Sequence, residues 1–165
     1  MKTALGRIVR CAFLTWALSA GTSTVLAQKG VHVEHAWARA TPPGATMGAV
    51  YFVITAHGGH SDRLIGVSSP VAAKAEFHTN VMEGGMMKMR QIESVEVSGD
   101  APVGFEPGRN HVMLTGLKGP LTEGDQFQMT LTLEKLGAIE TQVTVRAIGT
   151  TTMEHQMDHS KHQME

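Results

Sequence analysis

The feature that most constrains the fold is a hydrophobic pattern with a period of two. In Gln126–Glu134 the apolar residues take every second position and alternate with glutamine and threonine: Phe127, Met129, Leu131 and Leu133. Because successive side chains of a β-strand point to opposite faces, this pattern predicts a strand with one buried face and places Met129 in the core. Thr141–Ala147 repeats the pattern. The chain is therefore expected to build its core from β-sheet.

The chain before Gln126 has the same character. Six further strands are predicted, at Val31–Ala38, Gly48–Thr55, Arg63–Val67, Ala73–His78, Met87–Val97 and His111–Leu117. Turn-forming residues separate them, at Thr41–Gly44, Gly58–Gly59, Gly84–Gly85, Pro107–Gly108 and Gly119–Pro120. No segment has a sustained helical period. Short strands with frequent turns predict an all-β domain, a barrel or a sandwich, over residues 28–149.

The two ends of the chain differ from this domain. Residues 1–27 have a basic start, a short apolar middle and a small-residue exit at Ala27, which predicts a signal peptide that is cleaved on export to the periplasm. The apolar run is shorter than the roughly 20 residues of a membrane-spanning helix. Cleavage would remove Lys2, Arg7 and Arg10 and so change the net charge from −1 to −4. Residues 150–165 are polar and lack aromatic residues, which predicts a disordered tail.

Charge and cysteine content exclude several functions. A net charge of −1 argues against a nucleic-acid binder, which needs a basic surface. Cys11 lies in the predicted signal peptide, so the mature chain has no thiol. It is therefore neither a disulfide scaffold, a thiol oxidoreductase nor a blue-copper carrier. No catalytic carboxylate pair, nucleophile or phosphate loop is evident, and we expect no enzyme activity.

Four residues of the domain carry metal-donor atoms at informative positions. His111 and Met113 lie in one predicted strand and share a face, with Cα atoms about 7 Å apart. A turn at Glu83–Gly85 would bring His78 and Met89 within one diagonal step across a hairpin. Neutral imidazole and thioether donors suit Cu(I) better than Zn²⁺, Mg²⁺ or Ca²⁺. If the three strands are neighbours, these residues can hold Cu(I) without a thiolate.

The same four residues carry a resemblance to a known family. Ten residues separate His78 from Met89, twenty-one separate Met89 from His111, and Met113 completes a His-x-Met. This spacing resembles the signature of the periplasmic copper chaperone family PCuAC. The surrounding sequence is also similar to that family, at Ala36–Ala40, Gly48–Tyr51, Asp62–Leu64 and Pro107–Gly108.

The resemblance implies a cupredoxin-like Greek-key domain that binds Cu(I) and has no catalytic activity. It also implies copper delivery toward the binuclear copper site of cytochrome c oxidase, with subunit II or a Sco-like assembly factor as the acceptor, by a protein expected to be monomeric. Two alternatives remain open at this point. One is periplasmic copper buffering or resistance without a dedicated acceptor. The other is a β-sandwich interaction module whose histidines and methionines have no metal role.

The remaining methionines and histidines are interpreted separately. Met47 is predicted to fill the core, Trp37 to be a packing residue, and His32, His35, His57 and His60 to be ordinary surface histidines. Met82, Met86 and Met87 crowd the predicted hairpin, where they would shield the site, act as spare donors or serve turn and packing roles. The tail carries a second candidate metal site that would favour Cu(II) through its histidines: Met153, His155, Met157, His159, His162 and Met164.

Overall fold

The described residues form ten strands and no helix. The structure is a computed structural model that describes residues 30–99 and 101–149. The predicted signal peptide and tail lie outside these residues. The strands are β1 (Val31–Arg39), β2 (Met47–Ala56), β3 (Ser61–Ser68), β4 (Ala72–Glu83), β5 (Met86–Gln91), β6 (Val95–Ser98), β7 (Val103–Phe105), β8 (His111–Leu117), β9 (Gln126–Leu133) and β10 (Gly137–Arg146). No helix long and apolar enough to cross a bilayer occurs within the described ranges.

The strands belong to one sheet whose order is β5-β4-β8-β2-β1-β10-β9-β3-β6, with β7 beside β2. The β1–β10 pair is parallel, and the other pairs are antiparallel. Strands β5 and β6 end this order, so the sheet is not closed into a barrel. It folds over on itself, since β3 also contacts β4 and β6 contacts β2. The predicted all-β, cupredoxin-like architecture is confirmed, in an open form.

One prediction about the strands was wrong, and one strand was missed. The segment Met87–Val97 is not one strand: β5 pairs with β4 and β6 pairs with β3, so the chain leaves one neighbour for another between Gln91 and Val95. Strand β7 was missed because three residues are too few to show a period. Its position is fixed by tertiary pairing with β2.

The core lies between the folded halves of the sheet. Phe105 of β7 stacks on Phe52 at 4.2 Å between ring centroids and contacts Phe77 at 5.8 Å. Met129 is fully buried, as predicted. Met47 was predicted to be buried but is 58% exposed, because the alternation along β2 puts Val50, Phe52 and Ile54 inside and Met47 on the other face.

A β-bulge in β1 determines which side chains of this strand lie on the outer face of the sheet. The register passes from Glu34 opposite Val53 to Trp37 opposite Tyr51, so β1 has one residue more than β2 between these pairs. His35 takes a positive φ of 52° at this point. Bulges re-aim the side chains that follow them. Val33 faces the core before the bulge, whereas Trp37 lies beside Tyr51 on the outer face after it.

Asp62 ties β3 to the turn between β9 and β10. Its buried carboxylate accepts backbone N–H hydrogen bonds from Arg63 at 2.7 Å and from Lys135 and Leu136 at 3.0 Å each. Burial alone would raise the pKa of this carboxyl, but the hydrogen bonds from Lys135, Arg63 and Leu136 outweigh burial and hold the pKa below its usual value. The ionised form is therefore part of the folded structure.

We expect Asp62→Asn to lower the free energy of unfolding at pH 7 by about 1.5–3 kcal/mol, because an amide cannot accept all three bonds. The lowered pKa means that this stability is present above about pH 4 and is lost as the pH falls through the pKa of the folded state. The difference between wild type and variant should therefore shrink in acid. Urea unfolding at pH 7 and pH 3 measures it, with the exposed Asp125→Asn as the control. Equal stability of wild type and Asp62→Asn at pH 7 would contradict this role.

Candidate metal centre

The four predicted donors lie on one face of the sheet. Strand β4 is central, with β5 on one side and β8 on the other, and His78 is directly opposite His111. The adjacent pair, Phe77 and Val112, is buried in the core. Because side chains alternate along a strand, both histidines point to the outer face.

The two histidines form the centre of this face. Their ring centroids are 6.0 Å apart. His111 is 4% exposed, and its Nδ1 donates a hydrogen bond to the carbonyl oxygen of Arg109 at 3.0 Å. A neutral imidazole that donates from Nδ1 keeps its lone pair on Nε2. Metal-binding histidines are commonly oriented in this way, by a hydrogen bond from the other ring nitrogen.

His78 is in a less common situation. Both of its ring nitrogens are buried, and neither has a hydrogen-bond partner among the described residues. Burial lowers the pKa of His78, and the nearby His111 ring and Lys74 lower it further, whereas Glu76 opposes the shift. The ring is therefore neutral at pH 7, with an unused lone pair. Buried polar atoms without partners are rare in native proteins and indicate a role other than packing.

The two thioethers lie on opposite sides of the histidine pair. Met113 is opposite Glu76 and two residues along β8 from His111, on the same face, and it is partly buried. Met89 is opposite Asn80, one diagonal step from His78 on β5, and it is 49% exposed. Met113 thus belongs to the body of the sheet and Met89 to the β4–β5 hairpin.

Aromatic side chains border the histidine pair on the β2 side. The ring centroid of Tyr51 is 6.5 Å from that of His111 and 4.6 Å from that of Trp37. The guanidinium carbon of Arg146 lies 5.4 Å from the centre of the Trp37 ring. Trp37 is fully buried, as predicted for a packing residue. Burial raises the pKa of Tyr51, against the opposing effect of Arg39, so the phenol stays neutral. Tyr51 was not predicted to belong to the site, although its alternation with Val50 and Phe52 places it on the outer face.

The other histidines do not join this centre. As predicted, the other four histidines that the structure describes are exposed: His32, His35, His57 and His60. The Nε2 atom of His32 lies 3.7 Å from Oε1 of Glu34. In the described ranges there is no group of three or more His, Cys, Asp or Glu side chains that could hold a metal ion. The tail candidates, Met153 to Met164, lie outside the described residues.

Comparisons with known proteins find a matching family model and related sequences. A family model described as "Putative lipoprotein LpqE-like" matches residues 31–145. Protein RP573 of Rickettsia prowazekii is 32% identical over 108 residues, which are 63% of this chain and 60% of that protein. The chain spans about three fifths of the length of the curated relatives that it matches.

Solved structures of similar fold include two copper-bound proteins. A copper-bound PCuAC domain from PmoF2 is 27% identical, with a TM-score of 0.62 over 73% of this chain and 96% of that chain. The solution structure of CuI-DR1885 from Deinococcus radiodurans is 25% identical, with a TM-score of 0.56 over 79% of this chain and 85% of that one.

Only His111 of the pair has a hydrogen-bond partner for its ring among the described residues, so the stability of the metal-free protein can test the different roles of the two histidines. We expect His78→Leu to stabilise the metal-free protein by about 1 kcal/mol, because it removes two buried polar atoms without partners. His111→Leu should destabilise the protein by about 1–3 kcal/mol, because it leaves the Arg109 carbonyl without its donor.

The gain from His78→Leu should grow as the pH falls below about 6.5. The pKa of His78 is lowered in the folded state, so the unfolded chain binds the proton first and the wild type loses stability in that range. Urea unfolding at pH 7.5 and pH 5.5 measures both effects. A loss for His78→Leu as large as that for His111→Leu would mean that His78 is a structural residue.

Proposed function

Since this chain belongs to the LpqE-like family and its β-domain is of the PCuAC type, we propose that it is an exported copper chaperone. The protein binds Cu(I) through His78 and His111, with the thioethers of Met113 and Met89 as further donors. It is a carrier and not an enzyme, because the ion arrives and leaves unchanged. Copper-bound and Cu(I)-bound relatives of the same fold support this proposal.

The observation that carries the proposal is the state of His78. Its two ring nitrogens are buried without partners, and its lowered pKa keeps a lone pair available. His111 faces it across one strand pair, with its ring orientation held by Arg109. A pair of imidazoles with nearby thioethers matches the preference of Cu(I) for soft, uncharged donors.

The position of the donors suits transfer as well as binding. The centre lies on the outer face of the sheet, and Met89 is half exposed on the hairpin. A partner can therefore approach from the Met89 side and replace one ligand at a time. We propose that the acceptor is the copper site of cytochrome c oxidase subunit II, reached directly or through a Sco-like assembly factor in the periplasm.

Replacing the thioethers tests the ligand assignment. Leucine keeps most of the volume of methionine and removes the sulfur, so Met113→Leu and Met89→Leu should leave the fold intact. We expect each change to weaken Cu(I) binding at least about tenfold, the lower end of the losses seen for residues that only support metal ligands. Competition with a chromophoric Cu(I) chelator measures the affinity.

The matched control for these changes is Met129→Leu, in the core and away from the site. It should bind Cu(I) as the wild type does. The Met113 and Met89 variants should also pass less Cu(I) to the soluble copper domain of subunit II. Wild-type affinity in a Met89→Leu/Met113→Leu double variant would refute thioether ligation.

We also propose that the tail binds copper, with Cu(II) held by His155, His159 and His162. Removing residues 150–165 should abolish this Cu(II) binding and leave Cu(I) at the His78–His111 centre. Equilibrium dialysis of each copper form with the full and shortened chains measures the stoichiometry. An unchanged Cu(II) stoichiometry after removal would show that the tail residues are not ligands.

A further inference from the structure

The β4–β5 hairpin extends beyond the rest of the sheet. Strand β4 pairs with β8 only from Ala72 to His78, and from Thr79 to Glu83 it pairs with β5 alone. We call residues 79–90 the hairpin arm. Its tip is the turn at Gly84 and Gly85, which both have positive φ. A two-stranded segment is only marginally stable in water by itself. The side chains of the arm therefore indicate a role other than packing.

The two faces of the arm differ in chemistry. On one face, Glu83 contacts Arg90 and lies 3.3 Å from Lys88. On the other face, Met82 is directly opposite Met87, and Met89 follows two positions along β5. This second face is continuous with the outer face of His78, because Met82 and His78 are separated by an even number of positions on β4. The arm therefore carries a charged face and a methionine face.

The methionine face is exposed and consists of sulfur donors. Met82, Met87 and Met89 are 64%, 59% and 49% exposed. Directly opposite Cβ atoms in an antiparallel pair are about 4.5–5.5 Å apart, and Met89 is about 7 Å from Met87 along the strand. Three flexible thioethers can reach a common point from these positions. Neighbouring large apolar side chains left in solvent commonly mark a binding site.

We propose that Met82, Met87 and Met89 form a second Cu(I) site, made only of thioethers, on the hairpin arm. Met89 is shared, since it lies one diagonal step from both Met82 and His78. Sulfur-only coordination selects a soft monovalent ion and rejects Zn²⁺ and Ca²⁺. The existence of this site rests on the arm alone.

Its role as a relay rests on the proposed function. Cu(I) moves between the arm and the histidine pair by ligand exchange: a bond to imidazole nitrogen forms as a bond to Met82 or Met87 sulfur breaks, while Met89 stays bound. Copper remains monovalent, so no oxidant or reductant is needed. The arm would thus load or unload the centre from solvent.

The test compares two changes on the same hairpin in the full mature chain. Met82→Leu/Met87→Leu removes two donors from the methionine face. Met86→Leu is the matched control, because Met86 is also 64% exposed but pairs with Glu83 and so lies on the charged face. The tail is present in all three proteins, so any Cu(I) that it binds adds equally to each stoichiometry. The probe is Cu(I) alone, titrated against a chromophoric chelator without oxygen.

At saturation Met89 belongs to the arm site, while His78, His111 and Met113 hold the other ion. We therefore expect the double variant to bind one Cu(I) equivalent fewer than the wild type and the Met86→Leu protein to bind the same number. In wild-type protein labelled with ¹³C at the methionine ε-methyl groups, the signals of Met82 and Met87 should shift when Cu(I) is added, and that of Met86 should not. Equal stoichiometry in all three proteins, with unshifted Met82 and Met87 methyls, would overturn the arm site. That result is also the one expected if the arm docks an apolar partner, since leucine preserves an apolar surface.

A second variant separates this proposal from the proposed function. In His78→Leu/His111→Leu the central site is removed while the arm is untouched. Persisting Cu(I) shifts at Met82 and Met87 would support an independent arm site, even if the histidine pair proved to bind no copper. Loss of those shifts in this variant would overturn the arm as a site of its own.

Discussion

The pairing of β4 with β8 is the constraint on which the site depends. One register places His78 opposite His111 on the outer face and Phe77 opposite Val112 in the core. A slip of one residue would exchange the two faces, so that His78 would enter the core and Phe77 would face solvent. Burial of Phe77 against Phe105 opposes such a slip. The apolar core thus fixes the relative position of the two imidazoles, although it contributes no ligand.

The two histidines show how a binding site differs from a packing arrangement. His111 is anchored through its Arg109 hydrogen bond and costs the fold little. His78 is held at the same level of the sheet without any partner for its nitrogens, which destabilises the fold and leaves a donor available. The ring of His111 fixes the geometry of the centre, and the ring of His78 supplies a nitrogen lone pair that no hydrogen bond from the described residues occupies.

Much of this structure could be predicted from local sequence pattern. Alternation identified most strands and the burial of Met129, and the spacing of His78, Met89, His111 and Met113 selected residues that lie on one face. Local sequence pattern failed to predict the strands where pairing between distant segments determines which residues form them. The division of Met87–Val97 into β5 and β6 follows from a change of partner strand, and β7 exists because β2 offers it an edge. Met47 was misplaced although its parity with Tyr51 along β2 already indicated the outer face.

The bulge in β1 has a consequence for how this chain can vary. Before the bulge, odd-numbered residues such as Val33 face the core, and after it Trp37 lies outside, against Tyr51 and beneath Arg146. Deleting one residue between Glu34 and Trp37 would remove the bulge and restore regular pairing, with Trp37 still opposite Tyr51 and its indole still outward. If both residues were kept and paired regularly, Trp37 would instead lie opposite Val50 and its indole would enter the core. The bulge is therefore what keeps the aromatic border beside His111.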